Sequence, residues 1–140
     1  MNLAARIALL LFAVAAAGCD SPNSELDARE LTSAARSLAS LAAEAQLLAR
    51  EWGSGSVTLA FALVHQDALQ QESLKLARQL AKPVPDDLRS AHERALALNS
   101  RLQIGLGQIA KAPAQPAQLA RLEQDFKRVQ AEAKSLEARP

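Results

Sequence analysis

The chain has 140 residues, of which 31 are alanine and 24 leucine, whereas only ten are β-branched (5 Val, 3 Ile, 2 Thr). This composition favours helices and leaves little material for a β-sheet. The 16 basic and 15 acidic residues nearly cancel, so the chain lacks the basic field that nucleic-acid binding requires. With 49% apolar and 22% charged residues it can collapse around a core, which excludes wholesale disorder. We therefore expect a single all-helical domain after any targeting segment is removed.

Residues 1–18 are typical of a secretory signal peptide. A short start carrying Arg6 precedes residues 7–17, which are eleven uncharged and mostly apolar residues. Eleven helical residues reach about 17 Å, which is well short of the ~30 Å hydrocarbon layer of a membrane. The segment therefore predicts export of the chain and not a permanent membrane span.

The end of this segment, Ala16-Ala17-Gly18-Cys19, resembles the lipobox of bacterial lipoproteins, although the family more often has leucine where Ala16 stands. The resemblance implies cleavage between Gly18 and Cys19. It also implies a diacylglycerol on the sulfur of Cys19 and a further acyl chain, such as palmitate, on its amine. Two or three acyl chains hold a protein on a membrane where one does not. The alternative is an ordinary signal peptide with a stray cysteine nearby. Because Cys19 is the only cysteine, an intramolecular disulfide and a cysteine metal cluster are both excluded.

Residues 19–23 form the expected lipidated tether. One of them, Asp20, indicates which membrane holds the chain. Asp20 resembles the residue that keeps enterobacterial lipoproteins on the inner membrane, which favours that membrane over the outer one; an ordinary linker residue is the alternative. We expect the chain to be anchored to the bacterial cell membrane and to face the periplasm. Without residues 1–18 it has 15 basic and 15 acidic residues, since only Arg6 is removed.

The remainder, residues 24–140, reads as four helices at approximately 24–52, 57–82, 86–111 and 116–138. The sequence from Ser24 to Asp27 resembles a capping box, and glycine, serine and proline mark the three turns. Pro116 suits the first turn of the last helix. Each helix carries a stripe at alternating spacings of three and four: Leu31, Ala34, Leu38, Leu41, Ala45, Leu48 and Trp52; then Leu59, Ala62, Gln66, Leu69, Ser73, Leu76 and Leu80; then Leu88, Ala91, Ala95, Leu98, Leu102, Gly105 and Ile109; then Leu119, Leu122, Phe126, Val129, Ala133 and Leu136.

Short connections force neighbouring helices to run antiparallel, so the expected fold is an up-down-up-down four-helix bundle. The competing architecture is a longer two-helix coiled coil that dimerises. In that case the chain forms a homo-oligomer.

Metal and cofactor sites are not expected. If the second and third helices fold about Val84, His65 lies level with Gln103 and His92 with Leu76, about 16 Å apart in height. That separation is too large for one shared metal or haem. Met1 is the only methionine, and no Glu-x-x-His motif precedes either histidine. The run from Gly105 to Ala110 formally matches G-x-G-x-x-A, but it continues a helical stripe, so close helix packing or local bending is the preferred interpretation.

Two places remain as candidate functional residues. Gln66 and Ser73 are polar at interior positions, with Gln103 and Asn99 close by on the third helix; they either fix helix register or line a small polar pocket.

The second place is the tip formed by Trp52, Gly53, Ser54 and Gly55. It lies at the end farthest from the membrane, together with residues 111–116. Trp52 either anchors a docking surface for another envelope protein or closes the end of the bundle.

From these features we expect a non-catalytic envelope lipoprotein that acts by protein contact, as a scaffold or adaptor. The alternative is a periplasmic helical bundle that binds a small ligand. An enzyme is not expected, since no catalytic grouping is recognisable.

Overall fold

A computed structural model describes residues 24–111 and 115–139. The helices are α1 (Ala28–Gly53), α2 (Leu59–Leu80), α3 (Arg89–Ile109) and α4 (Pro116–Ala138), and a short 3-10 helix, Asp86–Leu88, leads into α3. The predicted signal peptide, the lipobox and the tether through residue 23 lie outside these residues.

The prediction of an all-helical four-helix bundle is confirmed. Each helix packs against the next one along the chain, and α4 packs against α1 to close the bundle. The pair formed by α1 and α4 has the most extensive interface, while α1 also contacts α3 across the bundle. The described ranges contain no strand.

The core follows most of the predicted stripes. The exceptions are Leu59, which is exposed, and Trp52, Gln66 and Ala91, which are half-buried. All six stripe residues of α4 are buried, from Leu119 to Leu136. On α1 the buried face is wider than a heptad stripe, because a second row of small residues is also buried: Ala35, Ala39, Ala42 and Ala49. Small side chains allow helix axes to approach closely, which accounts for the extensive contact between α1 and α4.

The start of α1 differs from the prediction. Asp27 is the N-cap: its Oδ1 accepts a hydrogen bond from the Glu30 backbone N–H (2.7 Å), and Glu30 Oε2 accepts one from the Asp27 N–H (3.1 Å). The capping box therefore lies three residues later than the expected one at Ser24. The reason is Leu26, whose side chain is fully buried and whose N–H donates to the carbonyl oxygen of Pro83 (2.8 Å). That tertiary bond holds the chain extended until Asp27.

The other helix starts follow from local chemistry. Thr58 caps α2 by accepting a hydrogen bond from the Phe61 N–H (3.2 Å), after a turn in which Gly55 adopts a positive φ of 72°. Pro116 is at the first position of α4, as predicted, where its missing N–H costs no helical hydrogen bond.

The bundle has two distinct ends. The near end holds the start of α1, the α2–α3 turn and the end of α4. It is joined by an ion pair between Glu30 and Lys82 (3.2 Å) and another between Arg36 and Glu137 (2.7 Å). The far end holds the α1–α2 turn and the start of α4, where Gly53 approaches Leu119. The 26 residues of α1 separate the two ends by about 39 Å.

Within the described part of the chain, no helix is both long enough and apolar enough to cross a membrane.

Candidate functional site

The polar residues predicted between α2 and α3 form a small hydrogen-bonded cluster. Ser73 is fully buried, and its Oγ donates to Asn99 Oδ1 (2.8 Å). In return Asn99 Nδ2 donates to the backbone oxygen of Ser73 (3.2 Å), and the half-buried Gln103 donates to the same oxygen (3.4 Å). The polar groups of Ser73 and Asn99 therefore satisfy one another across the helix interface.

Gln66 lies apart from this cluster. It is half-buried, and its Oε1 accepts a hydrogen bond from the Ala110 N–H (2.9 Å), just beyond the last residue of α3. Gln66 therefore ties the first half of α2 to the end of α3 instead of facing the polar interior.

The alignment of α2 and α3 differs from the prediction by about one helical turn. His92 was expected level with Leu76, but His92 Nε2 donates to the carbonyl oxygen of Leu80 (2.6 Å). Before α3 begins, the chain passes through residues 83–85 and then the 3-10 helix, and these residues lengthen the connection between α2 and α3. The hairpin therefore turns later in the chain than Val84.

The two histidines have separate environments. The ring of His65 stacks on Phe61, with ring centroids 5.6 Å apart and an interplanar angle of 9°. His92 is held by the Leu80 carbonyl at the other end of α2. In the part of the chain that the structure covers, no group of three or more His, Cys, Asp or Glu residues is arranged to hold a metal ion.

The run from Gly105 to Ala110 lies at the end of α3 and is not preceded by a strand, so it lacks the structural context of a dinucleotide site. Gly105 is buried against Phe126 of α4.

The far-end tip is partly inside the bundle. Trp52 is half-buried against the core, and its indole Nε1 is buried without an acceptor among the described residues. Gly53 is half-buried and faces Leu119, while Ser54 and Gly55 are exposed. The Ser54 hydroxyl donates to the Glu51 carbonyl oxygen (3.1 Å) and contacts the Ser56 hydroxyl (2.7 Å). The accessible part of the tip is therefore the turn, and Trp52 supports it from within. The adjacent residues 112–114 are outside the described ranges.

One feature was not anticipated from the sequence. The first two turns of α2 expose large apolar side chains: Leu59, Phe61, Leu63 and Val64. One pattern in the sequence indicates this apolar surface: no Asp, Glu, Lys or Arg lies between Val57 and Gln66. Hydrophobic residues on all sides of a helix are typical of one buried on all sides.

The cleft nearest the polar cluster is shallow. It has a volume of about 240 Å³ and is lined by Gln70, Gln71, Leu74 and Gln103, at the surface between α2 and α3.

Comparison of the chain with protein-family models, with curated proteins and with solved structures found no match.

Proposed function

We propose that this chain is a bacterial lipoprotein, anchored to the cell membrane through lipid on Cys19, that faces the periplasm and acts as a non-catalytic protein-interaction module. The observation that carries the proposal is the position of the only cysteine in the chain, directly after the small residues Ala17 and Gly18 and an apolar segment of signal length. Asp20 favours the inner membrane.

The structure at the start of α1 supports this anchoring. Leu26 is buried and its backbone is bonded to Pro83, so the chain is fixed to the near end of the bundle from residue 26 onward. The six residues that follow Cys19 span at most about 20 Å. A lipid on Cys19 would keep the near end close to the bilayer and direct the far end into the periplasm.

The hydrogen bonds made by the interior polar side chains support an interaction module over an enzyme. Ser73 and Asn99, the buried polar residues among those described, are engaged with each other, and Gln66 is bonded to the end of α3. These groups have structural partners and do not converge on a cleft. The residues available for recognition therefore lie on the outer surface, and the tip formed by Trp52 and residues 53–55 is the part held farthest from the membrane.

Affinity purification from detergent-solubilised envelopes tests the docking role of the tip. Ser56→Arg places a long charged side chain on the exposed turn, and Ser90→Arg places one at the opposite end of the bundle. A partner that co-purifies with the parent chain and with Ser90→Arg, but not with Ser56→Arg, supports docking at the tip. Retention of that partner by Ser56→Arg would contradict it.

The cleft lined by Gln70, Gln71, Leu74 and Gln103 favours a second candidate, a module that binds a small ligand. Its test is the Gln103→Leu variant. Under this alternative, a compound that raises the melting temperature of the parent chain would lose its effect in the variant.

A further inference from the structure

The charged side chains of α1 are sorted by direction. Its cations share the outermost position of the heptad repeat, and all are exposed: Arg29, Arg36 and Arg50. Its carboxylates occupy the next position of the repeat: Glu30, Glu44 and Glu51. That position turns toward α2, as the ion pair between Glu30 and Lys82 (3.2 Å) shows, since Lys82 directly follows α2. The outer surface of α1 is therefore basic, and its acidic side faces α2.

The charges of α4 are sorted in the same way. Its cations lie on the outer side, and all are exposed: Arg121, Lys127, Arg128 and Lys134. Two carboxylates lie toward α3, since Asp125 lines the α3–α4 groove and Glu132 accepts a hydrogen bond from Arg101 (3.1 Å). Glu137 lines the groove beside α1, and Glu123 shares its heptad position two repeats earlier; both are half-buried.

These cations form one surface, which we call the basic face: the three arginines of α1 and the four cations of α4. Arg36 and Lys134 line the same shallow groove of about 290 Å³ between the two helices, so the cations of α1 and α4 meet there. From Arg29 to Arg50 the face extends about 32 Å, at 1.5 Å per residue. The basic face therefore runs along most of the bundle.

Part of this positive charge has no counter-charge in the described part of the chain. Three cations are paired with carboxylates: Arg36 with Glu137 (2.7 Å), Arg128 with Asp125 (3.4 Å) and Arg50 with Glu51 (3.7 Å). The others have no ion-pair partner among the described residues: Arg29, Arg121, Lys127 and Lys134. The composition hides this surface, because the chain has 16 basic and 15 acidic residues. Charge complementarity therefore selects an anionic occupant for the basic face.

We propose that the basic face docks an acidic helix of a partner protein, which lies lengthwise along the groove between α1 and α4. The cations recur at multiples of seven residues within each helix, as from Arg29 to Arg36, from Arg121 to Arg128 and from Lys127 to Lys134. Seven helical residues rise about 10.5 Å. A partner helix whose Glu or Asp residues also recur every seven residues matches this spacing. Opposite charges on either side of a helical seam select partners in this way.

The lining of the groove favours a helix over a lipid surface. Between Arg36 and Lys134 the groove is lined by small or polar side chains: Ala39, Ser40, Ala43, Gln130 and Glu137. Helices that lie on membranes combine their cations with large apolar side chains that enter the bilayer. The groove offers no such side chain, and its small residues leave room for another helix.

Recognition of this kind depends mainly on charge. Exposed ion pairs contribute more to association rate and specificity than to affinity. They are also screened by salt, with a Debye length of about 8 Å at physiological ionic strength. Docking on the basic face is therefore expected to weaken as the salt concentration rises.

Binding of a synthetic peptide to the full-length chain, purified in a nonionic detergent, tests the proposal. The probe is a fluorescein-labelled helix of four heptads, each Ala-Gln-Gln-Ala-Glu-Gln-Glu, which places glutamates on both sides of an alanine seam. A comparison peptide has the same composition with irregularly spaced glutamates, and circular dichroism verifies that both peptides are helical. In low salt we expect the periodic helix to bind at least fivefold more tightly. Equal binding of both peptides, or of neither, would overturn the proposal.

Charge reversal locates the binding. Lys127→Glu combined with Lys134→Glu reverses two unpaired cations of the basic face, and this variant should bind the periodic helix at least fivefold more weakly. The matched control is Arg78→Glu combined with Arg94→Glu, which makes the same change in net charge at exposed positions of α2 and α3. The control should bind within twofold of the parent chain, and circular dichroism verifies that both variants are folded. Equal weakening by the two variants would overturn the proposal.

Two other occupants are distinguished with the same variants. Nanodiscs that contain phosphatidylglycerol report binding to anionic lipid. If Lys127→Glu with Lys134→Glu weakened nanodisc binding at least fivefold and the control did not, a lipid surface would be the occupant and the proposal would be overturned. Self-association of the parent chain that only this variant abolished would make a second copy the occupant, with the same consequence.

The basic face is separate from the tip, and docking on it does not rest on the lipid anchor. An unmodified Cys19 would contradict the proposed function and leave the expected peptide binding unchanged. A lipidated chain that does not bind the periodic helix would contradict docking on the basic face alone.

Discussion

Gly105 of α3 lies directly against the ring of Phe126 of α4. A Cβ atom built on Gly105 would be 2.6 Å from Phe126 Cε1 and 2.9 Å from Cζ, distances at which atoms overlap. The absence of a side chain at Gly105 therefore allows the aromatic ring to fill the interface between the two helices. Gly107, two residues later, has only Gln70 Nε2 near the corresponding position, at 3.7 Å.

The two glycines predict opposite effects of alanine. Gly105→Ala forces the Phe126 ring to move and should lower the free energy of unfolding by about 1–3 kcal/mol, less the gain in helix propensity. Gly107→Ala meets no such overlap and should raise it by up to about 1 kcal/mol. Urea denaturation followed by circular dichroism measures both. Equal effects of the two substitutions would contradict this account of the α3–α4 interface.

The pair of Ser73 and Asn99 predicts strong coupling between mutations. Ser73→Ala leaves the Asn99 side chain without its donor in a buried site, which should cost about 1–3 kcal/mol. Asn99→Leu should cost a similar amount for the same reason. The double variant removes both partners, so its cost should be at least about 1 kcal/mol less than the sum of the single costs. The exposed Ser100→Ala is the control and should change stability by less than about 0.5 kcal/mol. Additive single effects would show that the hydrogen bonds contribute little.

Leu26 predicts that the segment before α1 is an integral part of the bundle. Its side chain is buried, so Leu26→Ala should lower the free energy of unfolding by about 2–4 kcal/mol. Leu47→Ala, at an exposed position of α1, should cost less than about 1 kcal/mol. Hydrogen exchange of the Leu26 amide offers an independent check, since that amide is bonded to Pro83 and should be protected. Rapid exchange would imply a longer and looser tether.

Trp52 predicts different results for two substitutions. Its indole N–H is buried without an acceptor among the described residues, so Trp52→Phe removes an unsatisfied donor. We expect that variant to unfold within about 1 kcal/mol of the parent, because the lost ring area offsets the removal of the donor. Trp52→Ala should lose about 2–4 kcal/mol, since it also removes the apolar packing at the far end. If Trp52→Phe were as destabilised as Trp52→Ala, the N–H would have an acceptor.

The number and type of helices were predictable because residues such as Leu38, Leu102 and Phe126 recur at heptad spacing and are buried in the structure. The start of α1 was less predictable. The capping chemistry of Ser24 and Asp27 is similar, and the choice between them depends on the tertiary bond from Leu26 to Pro83. The alignment of α2 with α3 likewise depends on a 3-10 helix that no pattern in the sequence indicated.

The surface features were harder to predict than the core. Phe61 and Val64 have the residue types of core positions, and only the packing of α2 against its neighbours shows that they face outward. Gln66 was assigned to the interior because it falls on the α2 stripe. Its bond to the Ala110 N–H depends on where α3 ends, which local sequence does not reveal.

The most direct test of the central proposal is the intact mass of the mature chain purified from the membrane fraction. We expect the chain to begin at Cys19 and to carry the added mass of a diacylglyceryl group with or without an N-acyl chain, whereas Cys19→Ala should lose membrane association. A mature chain with an unmodified cysteine, or one that still carries residues 1–18, would contradict the account.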